Sequence, residues 1–149
     1  MKTFKITGFL FFIIVLSSSF IKTDEERFSL TIKVEGLRNS EGVVQFALYN
    51  QENSLPDEKF KSHYKIGTSE IAYNRATFIF ENLPSGRYAV NILHDENKNG
   101  NIDKGLILPK EGIGFSNYNN IGLSNKPKFS KASFQLENDK TIYVKIIYL

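Results

Sequence analysis

Oxygen-bearing side chains recur at every second position through Asp95, Asn97 and Asn99, Gly100 follows at once, and Asn101 and Asp103 come next. That spacing is the first half of a calcium loop, in which a glycine permits the sharp turn that brings alternate side chains to one point. Ca²⁺ is a hard cation that takes oxygen ligands. Asp95, Asn97 and Asn99 would offer side-chain oxygens, Asn101 its backbone carbonyl, and Asp103 a carboxylate directly or through water. The twelfth position is Leu106 rather than the bidentate glutamate of an EF-hand. A further ligand must therefore come from Glu96 or Glu111, and with so few charges the expected affinity is weak, on the order of 10⁻⁴ to 10⁻³ M. The alternative reading is a run of Asp and Asn turn formers that hydrogen-bond their own backbone.

Other residues could do chemistry nearby. His94 stands beside Asp95 and Glu96, where it would serve as a general base of a hydrolase-type enzyme or as a metal ligand. Against this, it shares strand parity with Tyr88, Val90 and Ile92, so it also fits the end of a packed strand face. There is no cysteine nucleophile and no serine in a Gly-x-Ser-x-Gly setting. Phe115 and Tyr118, with His94 and Glu111, are a possible ligand surface for a protein, peptide or glycan; the two aromatics would equally serve to pin a long loop to the body of the domain. His63 lies in a polar stretch with no second ligand close by and reads as a solvated loop residue.

These residues need a framework, and the chain alternates as β-strands do. Leu30, Ile32 and Val34 share one face of a strand, and Val44, Phe46 and Leu48 continue the pattern after a polar turn at residues 36–42, an arrangement that predicts a hairpin. Residues 50–65 lose the period, with one helical turn expected at 56–61. Strand character returns at 66–73 and at Ala76, Phe78 and Phe80. The turn Leu83-Pro84-Ser85-Gly86 leads into a strand with Tyr88, Val90 and Ile92 on one face and Arg87, Ala89, Asn91 and Leu93 on the other. Residues 96–130 show no convincing period and read as one long loop. Two strands follow, carried by Ala132, Phe134 and Leu136 and by Ile142, Val144, Ile146 and Tyr148. About seven short strands with almost no helix predict an all-β fold, a single antiparallel β-sandwich of immunoglobulin-like or prealbumin-like type with one long loop.

Lys2 and Lys5 precede an apolar run at residues 9–16 and then Ser17, Ser18 and Ser19, the layout of a secretory signal peptide. The run is shorter than the ~20 residues that cross a bilayer. The expected organisation is a leader at 1–19 and one domain at 20–149, exported to the periplasm or beyond, without stable membrane insertion after cleavage. Loss of Lys2 and Lys5, with no acid removed, takes the formal charge from +3 to +1. The lysines are dispersed among acids, so a nucleic-acid partner is not expected. With no cysteine, the domain depends on its apolar core, for which nine of the chain's 13 Phe, those after residue 19, and all 7 Tyr provide the bulk.

Taken together, Phe80-Glu81-Asn82-Leu83-Pro84-Ser85-Gly86-Arg87-Tyr88-Ala89-Val90, then His94-Asp95-Glu96-Asn97 with Asn99-Gly100 and Asp103, then Pro109-Lys110-Glu111-Gly112 and Gly114-Phe115-Ser116-Asn117, resemble the DUF2141 family of exported bacterial proteins. Phe129 and residues 132–134 match its later segment. The resemblance implies a single secreted or periplasmic β-sandwich, similar to the prealbumin-like regulatory domains that accompany carboxypeptidases, and it implies no particular activity. The chain departs from the family pattern at Gly122-Leu123-Ser124-Asn125-Lys126-Pro127, where a glycine followed by paired prolines would be expected.

Overall fold

The computed structural model describes residues 25–122 and 124–149; the expected leader at 1–19 lies outside them. In chain order the elements are β1 (Arg27–Glu35), β2 (Val43–Tyr49), β3 (Lys65–Ser69), β4 (Arg75–Pro84), β5 (Gly86–Asp95), β6 (Gly112–Phe115), α1 (Phe129–Ala132), β7 (Phe134–Leu136) and β8 (Lys140–Lys145). They form two sheets, β4-β1-β8 and β3-β2-β5-β6, with β7 also paired to β5. The architecture is the expected β-sandwich, with eight strands. Nearly all neighbours are antiparallel, but β8 runs parallel to β1.

The period-two faces meet between the sheets. Leu30, Ile32 and Val34 of β1 and Phe80 of β4 pack against Val44, Phe46 and Leu48 of β2 and Tyr88, Val90 and Ile92 of β5, with Leu136 and Val144 closing the core. The expected hairpin of the first two strands does not form. β1 joins β4 and β8, whereas β2 joins β3 and β5. The two share an apolar side because they face each other across the core, not because they are neighbours in one sheet. The polar turn crosses between sheets, with Gly36 at φ +76° and Gly42 at φ +72°. No helix forms at residues 56–61.

A second core covers the other side of the β2–β5 pair. Ala47, Tyr49, Ala89 and Leu93 are buried there against Phe60, Ile113, Phe115, Tyr118, Phe129 and Ala132. Central strands covered on both faces lose the apolar-in, polar-out alternation, which is why β5 is buried at nearly every position. This also corrects the reading of residues 96–130 as one loop. They contain β6, which adds to β5 with Leu93 opposite Ile113, and the first residues of α1. Aromatic burial supplies the reason, since Phe115, Tyr118 and Phe129 have an apolar sheet face to cover.

Two close approaches hold the framework together beside the loop at 95–103. β6 lies so near the end of the chain that a Cβ on Gly114 would meet the Lys145 carbonyl oxygen at 2.7 Å, and Ile113 and Ile147 exchange backbone hydrogen bonds of 3.0 and 2.8 Å. The sandwich is thereby closed along that edge. Among the described residues no helix is long and apolar enough to cross a membrane.

Candidate functional site

β5 carries His94 and Asp95 at its end, paired to Val44 and Val43 of β2. Asp95 is 2% exposed. Its carboxylate is turned into the loop, where Oδ1 accepts the Asn99 N–H at 3.0 Å and Oδ2 the Gly100 N–H at 2.8 Å. Lys98 and Gly100 adopt left-handed φ values of +60° and +74° and fold the chain back over that carboxylate. Asn97 Oδ1 also accepts the Asn99 N–H, at 3.0 Å, and Asn99 Oδ1 accepts the Asn101 N–H at 2.8 Å. The two amide nitrogens converge on Asp103: Asn97 Nδ2 donates to Oδ2 at 2.6 Å and Asn99 Nδ2 to Oδ1 at 3.0 Å.

Asn97 and Asn99 are therefore gathered on the Asp103 carboxylate, and the Asp95 carboxylate is turned into the same loop onto backbone N–H groups, while the Asn101 side chain turns aside to the Asn99 carbonyl at 2.9 Å. As it stands, the loop is a chain of local turns with side-chain amides locked onto a carboxylate, and the turn-former chemistry is present in full. Among the described residues no three of His, Cys, Asp or Glu form a metal-holding group. A cation here would have to draw on the asparagine oxygens as well as on Asp95 and Asp103. That donor set of oxygens alone suits calcium rather than a transition metal.

Glu96 and Glu111, the residues considered for a further ligand, are committed elsewhere. Glu111 is 5% exposed. It clamps both ends of the loop, with Oε1 accepting the Glu96 N–H at 3.0 Å and Oε2 the Asp103 N–H at 3.1 Å. Burial pushes its carboxyl pKa up, against the pull of those two N–H groups. The Glu96 carboxylate points the other way, into a two-pronged pair with the Arg38 guanidinium and a 2.7 Å bond from Asn39 Nδ2. The Arg38 hydrogen bond holds its pKa below the ordinary carboxylate range. A depressed carboxyl pKa stabilises the fold above the unfolded value and is lost as pH falls through the folded one. Arg38→Gln is accordingly expected to cost about 1 kcal/mol at neutral pH, and the gap to wild type in urea melts should close as Glu96 becomes protonated below pH 4.5.

His94 is wholly buried, at 0% exposure, and both ring nitrogens are engaged. Nε2 lies 3.0 Å from the Glu41 carbonyl oxygen, and a carbonyl only accepts, so Nε2 carries the hydrogen. Nδ1 then takes the Tyr148 hydroxyl hydrogen at 2.8 Å, and that hydroxyl oxygen accepts the Arg38 N–H at 3.0 Å. Arg38 in turn stacks over the Tyr148 ring, 4.8 Å from its centre. The imidazole is a structural connector between β5, the 36–42 turn and the chain end. It is not presented to a cleft as a catalytic base would be.

His94, Glu111, Phe115 and Tyr118, from which a ligand surface is expected, are all buried and do not stand out from the domain as exposed side chains. Phe115 and Tyr118 meet edge to face at 6.1 Å, and Tyr118 spans the segment beneath it by donating to the Lys126 carbonyl at 3.2 Å and accepting the Lys128 N–H at 3.0 Å. They hold the segment carrying Lys126 and Lys128 onto the outer side of β5, where their area leaves water. What the spacing of residues did not disclose is the support: Gly42, Arg38, Asn39 and Tyr148 come from distant parts of the chain. Only Gly42, a glycine directly before a strand, carried a signal of its own.

No curated protein matches the chain. Among solved structures it is similar to a fimbrial assembly protein from Parabacteroides distasonis ATCC 8503, at 13% identity and a TM-score of 0.44, with 85% of this chain and 54% of that one covered. The chain thus spans about half the length of that protein. The family profile of DUF2141, described as an uncharacterized protein conserved in bacteria, matches residues 32–143. That match takes in most of the sandwich, the 95–103 loop and its Glu111 clamp, and the chain belongs to the DUF2141 family.

Proposed function

We propose that this chain is a non-catalytic binding module, exported to the periplasm or beyond, in which the loop at 95–103 takes up calcium weakly and so stiffens the surface it borders. The observation that supports the reading is the convergence of Asn97 and Asn99 on the Asp103 carboxylate beside the inward-turned Asp95. Calcium would draw on Asp95, Asn97, Asn99 and Asp103, with Asn101 contributing its backbone carbonyl. The two amides would turn over to present oxygen in place of N–H. Breaking those amide bonds to Asp103 is a cost set against the ion, which agrees with weak affinity. Partners in this reading are proteins, peptides or glycans.

Thermal melting with calcium and then with chelator tests it. For a dissociation constant of 10⁻⁴ to 10⁻³ M, 10 mM Ca²⁺ should add about 1.4 to 2.7 kcal/mol and raise the midpoint by several degrees. Asp103→Asn should abolish the increment. Identical midpoints in calcium and chelator would remove the metal from the account.

A further inference from the structure

The loop at 95–103 runs straight into a small hairpin. Lys104 pairs with Pro109 across it, the Gly105 N–H donates to the Leu108 carbonyl at 2.8 Å, and the Lys110 N–H donates to the Asp103 carbonyl at 2.8 Å. The chain therefore reverses at Leu106-Ile107, and these two side chains form the tip. Leu106 is 105% exposed and Ile107 73%, with Leu108 at 44% behind them. Three successive large apolar side chains left in water are a contiguous patch rather than a scattered residue. Below the tip, Ile107 and Leu108 border an apolar cleft of about 190 Å³, so the hairpin overhangs open space and does not lie flat on the domain.

The charges beside the tip divide by position. Lys110 and Lys126 are exposed. The Lys110 stem runs along the hairpin, with its Cγ and Cε 3.9 and 4.0 Å from where a Cβ on Gly105 would sit, and Lys126 borders the cleft with Ile107 and Leu108. Neither is paired to an acid among the described residues, whereas Lys104 is bound to Glu58 at 2.6 Å. The other carboxylates nearby are turned inward. Asp57 accepts from the Tyr49 hydroxyl and the Ser62 N–H, Asp103 holds the Asn97 and Asn99 amides, and Glu111 is buried.

We infer that this tip docks the domain on an anionic phospholipid surface, with Leu106 and Ile107 entering the acyl boundary while Lys110 and Lys126 meet the lipid phosphates. A protruding two-residue tip needs a matching pocket on a protein partner, but a bilayer takes it as it stands. The lipid interface also supplies apolar depth and negative charge at the spacing of this tip and its lysines, whose long stems let the ammonium groups stay at headgroup level. The docking is shallow and reversible, with a partition constant on the order of 10³ M⁻¹, below the ~10⁴ M⁻¹ of a single myristoyl chain. The inference goes beyond the reading of the chain as a module for proteins, peptides or glycans, and it does not require calcium.

Residues 20–149 contain every described strand and both cores and leave out the apolar run at 9–16, which would bind lipid by itself. That domain is sedimented, in chelator, with vesicles of phosphatidylcholine mixed with phosphatidylglycerol and with vesicles of phosphatidylcholine alone. Saturable binding to the mixed vesicles is expected, and about tenfold weaker binding to the neutral ones, the share of two lysines near a charged surface. The double change Leu106→Ser with Ile107→Ser, at exposed positions where folding is not at stake, should weaken binding at least about tenfold with an unchanged melting midpoint. The chain has no tryptophan, so Ile107→Trp places a single reporter at the tip, and its emission should shift to the blue on the mixed vesicles and be quenched by brominated acyl chains. No binding to the mixed vesicles would overturn the inference, as would equal binding to neutral ones, full binding by the double variant, or an unshifted reporter on bound protein. A dimer that the double variant dissolves, in a chain that ignores vesicles, would assign the tip to a second copy and overturn it too. Vesicle binding in chelator together with a calcium-insensitive melt would sink only the metal reading, whereas a calcium-raised midpoint without vesicle binding would sink only this inference.

Discussion

Gly42→Ala is expected to cost at least 3 to 5 kcal/mol, or to prevent folding, roughly the largest effect a single methyl group can have. A Cβ at Gly42 would sit 2.0 Å from the Asp95 carbonyl oxygen and 2.5 Å from the Glu96 Cα, with Gly42 itself at φ +72°. All the atoms it meets are backbone, and that backbone is the junction where β5 becomes the candidate site. It has no room to shift, because Asp95 is held on one side by Val43 of β2 and on the other by its own bonds to Asn99 and Gly100. Gly36→Ala is the control. Gly36 has a similar φ of +76° but nothing within 4 Å of the added carbon, so only the strain of a left-handed alanine applies, about 1 to 2 kcal/mol. Urea unfolding of both variants separates the two effects. Equal costs would show that the contact with Asp95 is unimportant.

Glu111→Ala is expected to destabilise the domain by about 2 to 3 kcal/mol, because it strands two N–H groups, those of Glu96 and Asp103, where the carboxylate had served both. The loss should be local before it is global. Hydrogen exchange at residues 96–103 should accelerate at denaturant concentrations where β2 and β5 remain protected, and unchanged protection there would show that the clamp is idle. Its pH signature is opposite to that of Glu96. Burial raises the Glu111 pKa, so the folded state holds this proton more tightly than the unfolded chain does. That contribution is complete below the ordinary carboxyl value and fades as pH rises through the raised one. Relative to Glu111→Gln, wild type should therefore lose stability on going up through that window, whereas the Arg38–Glu96 pair gains.

How much of this was legible in the residues varies from element to element. Leu30, Ile32 and Val34, and likewise Tyr88, Val90 and Ile92, announced their strands because a half-covered sheet imposes a period of two. The same period does not say which strands are neighbours, and so it predicts a hairpin of β1 with Val44, Phe46 and Leu48, which instead face β1 across the core. Residues 112–115 do not announce their strand, since a four-residue segment with two glycines, buried on both sides, has no period to display. Phe115 and Tyr118 illustrate the same limit. An aromatic in a polar stretch is consistent with an exposed platform or with a clasp, and only the uncovered outer side of β5 decides for the clasp.

The loop divides in the same way. The spacing of Asp95, Asn97, Asn99 and Asp103 determined by itself a tight polar turn with side chains bonded within it, because Asp and Asn before a glycine hydrogen-bond the backbone and one another over a few residues. Composition and alternation likewise determined an all-β domain with no disulfide. What only the tertiary structure decided is who holds the loop in place: Glu111 from beyond it, Gly42 from the turn that enters β2, and a chain of contacts running from His94 through Tyr148 to Arg38. Those partners are separated along the chain by tens of residues. Local pattern carries information over a turn or a strand, whereas the choice of distant partners is made by the burial of two cores that no single segment contains.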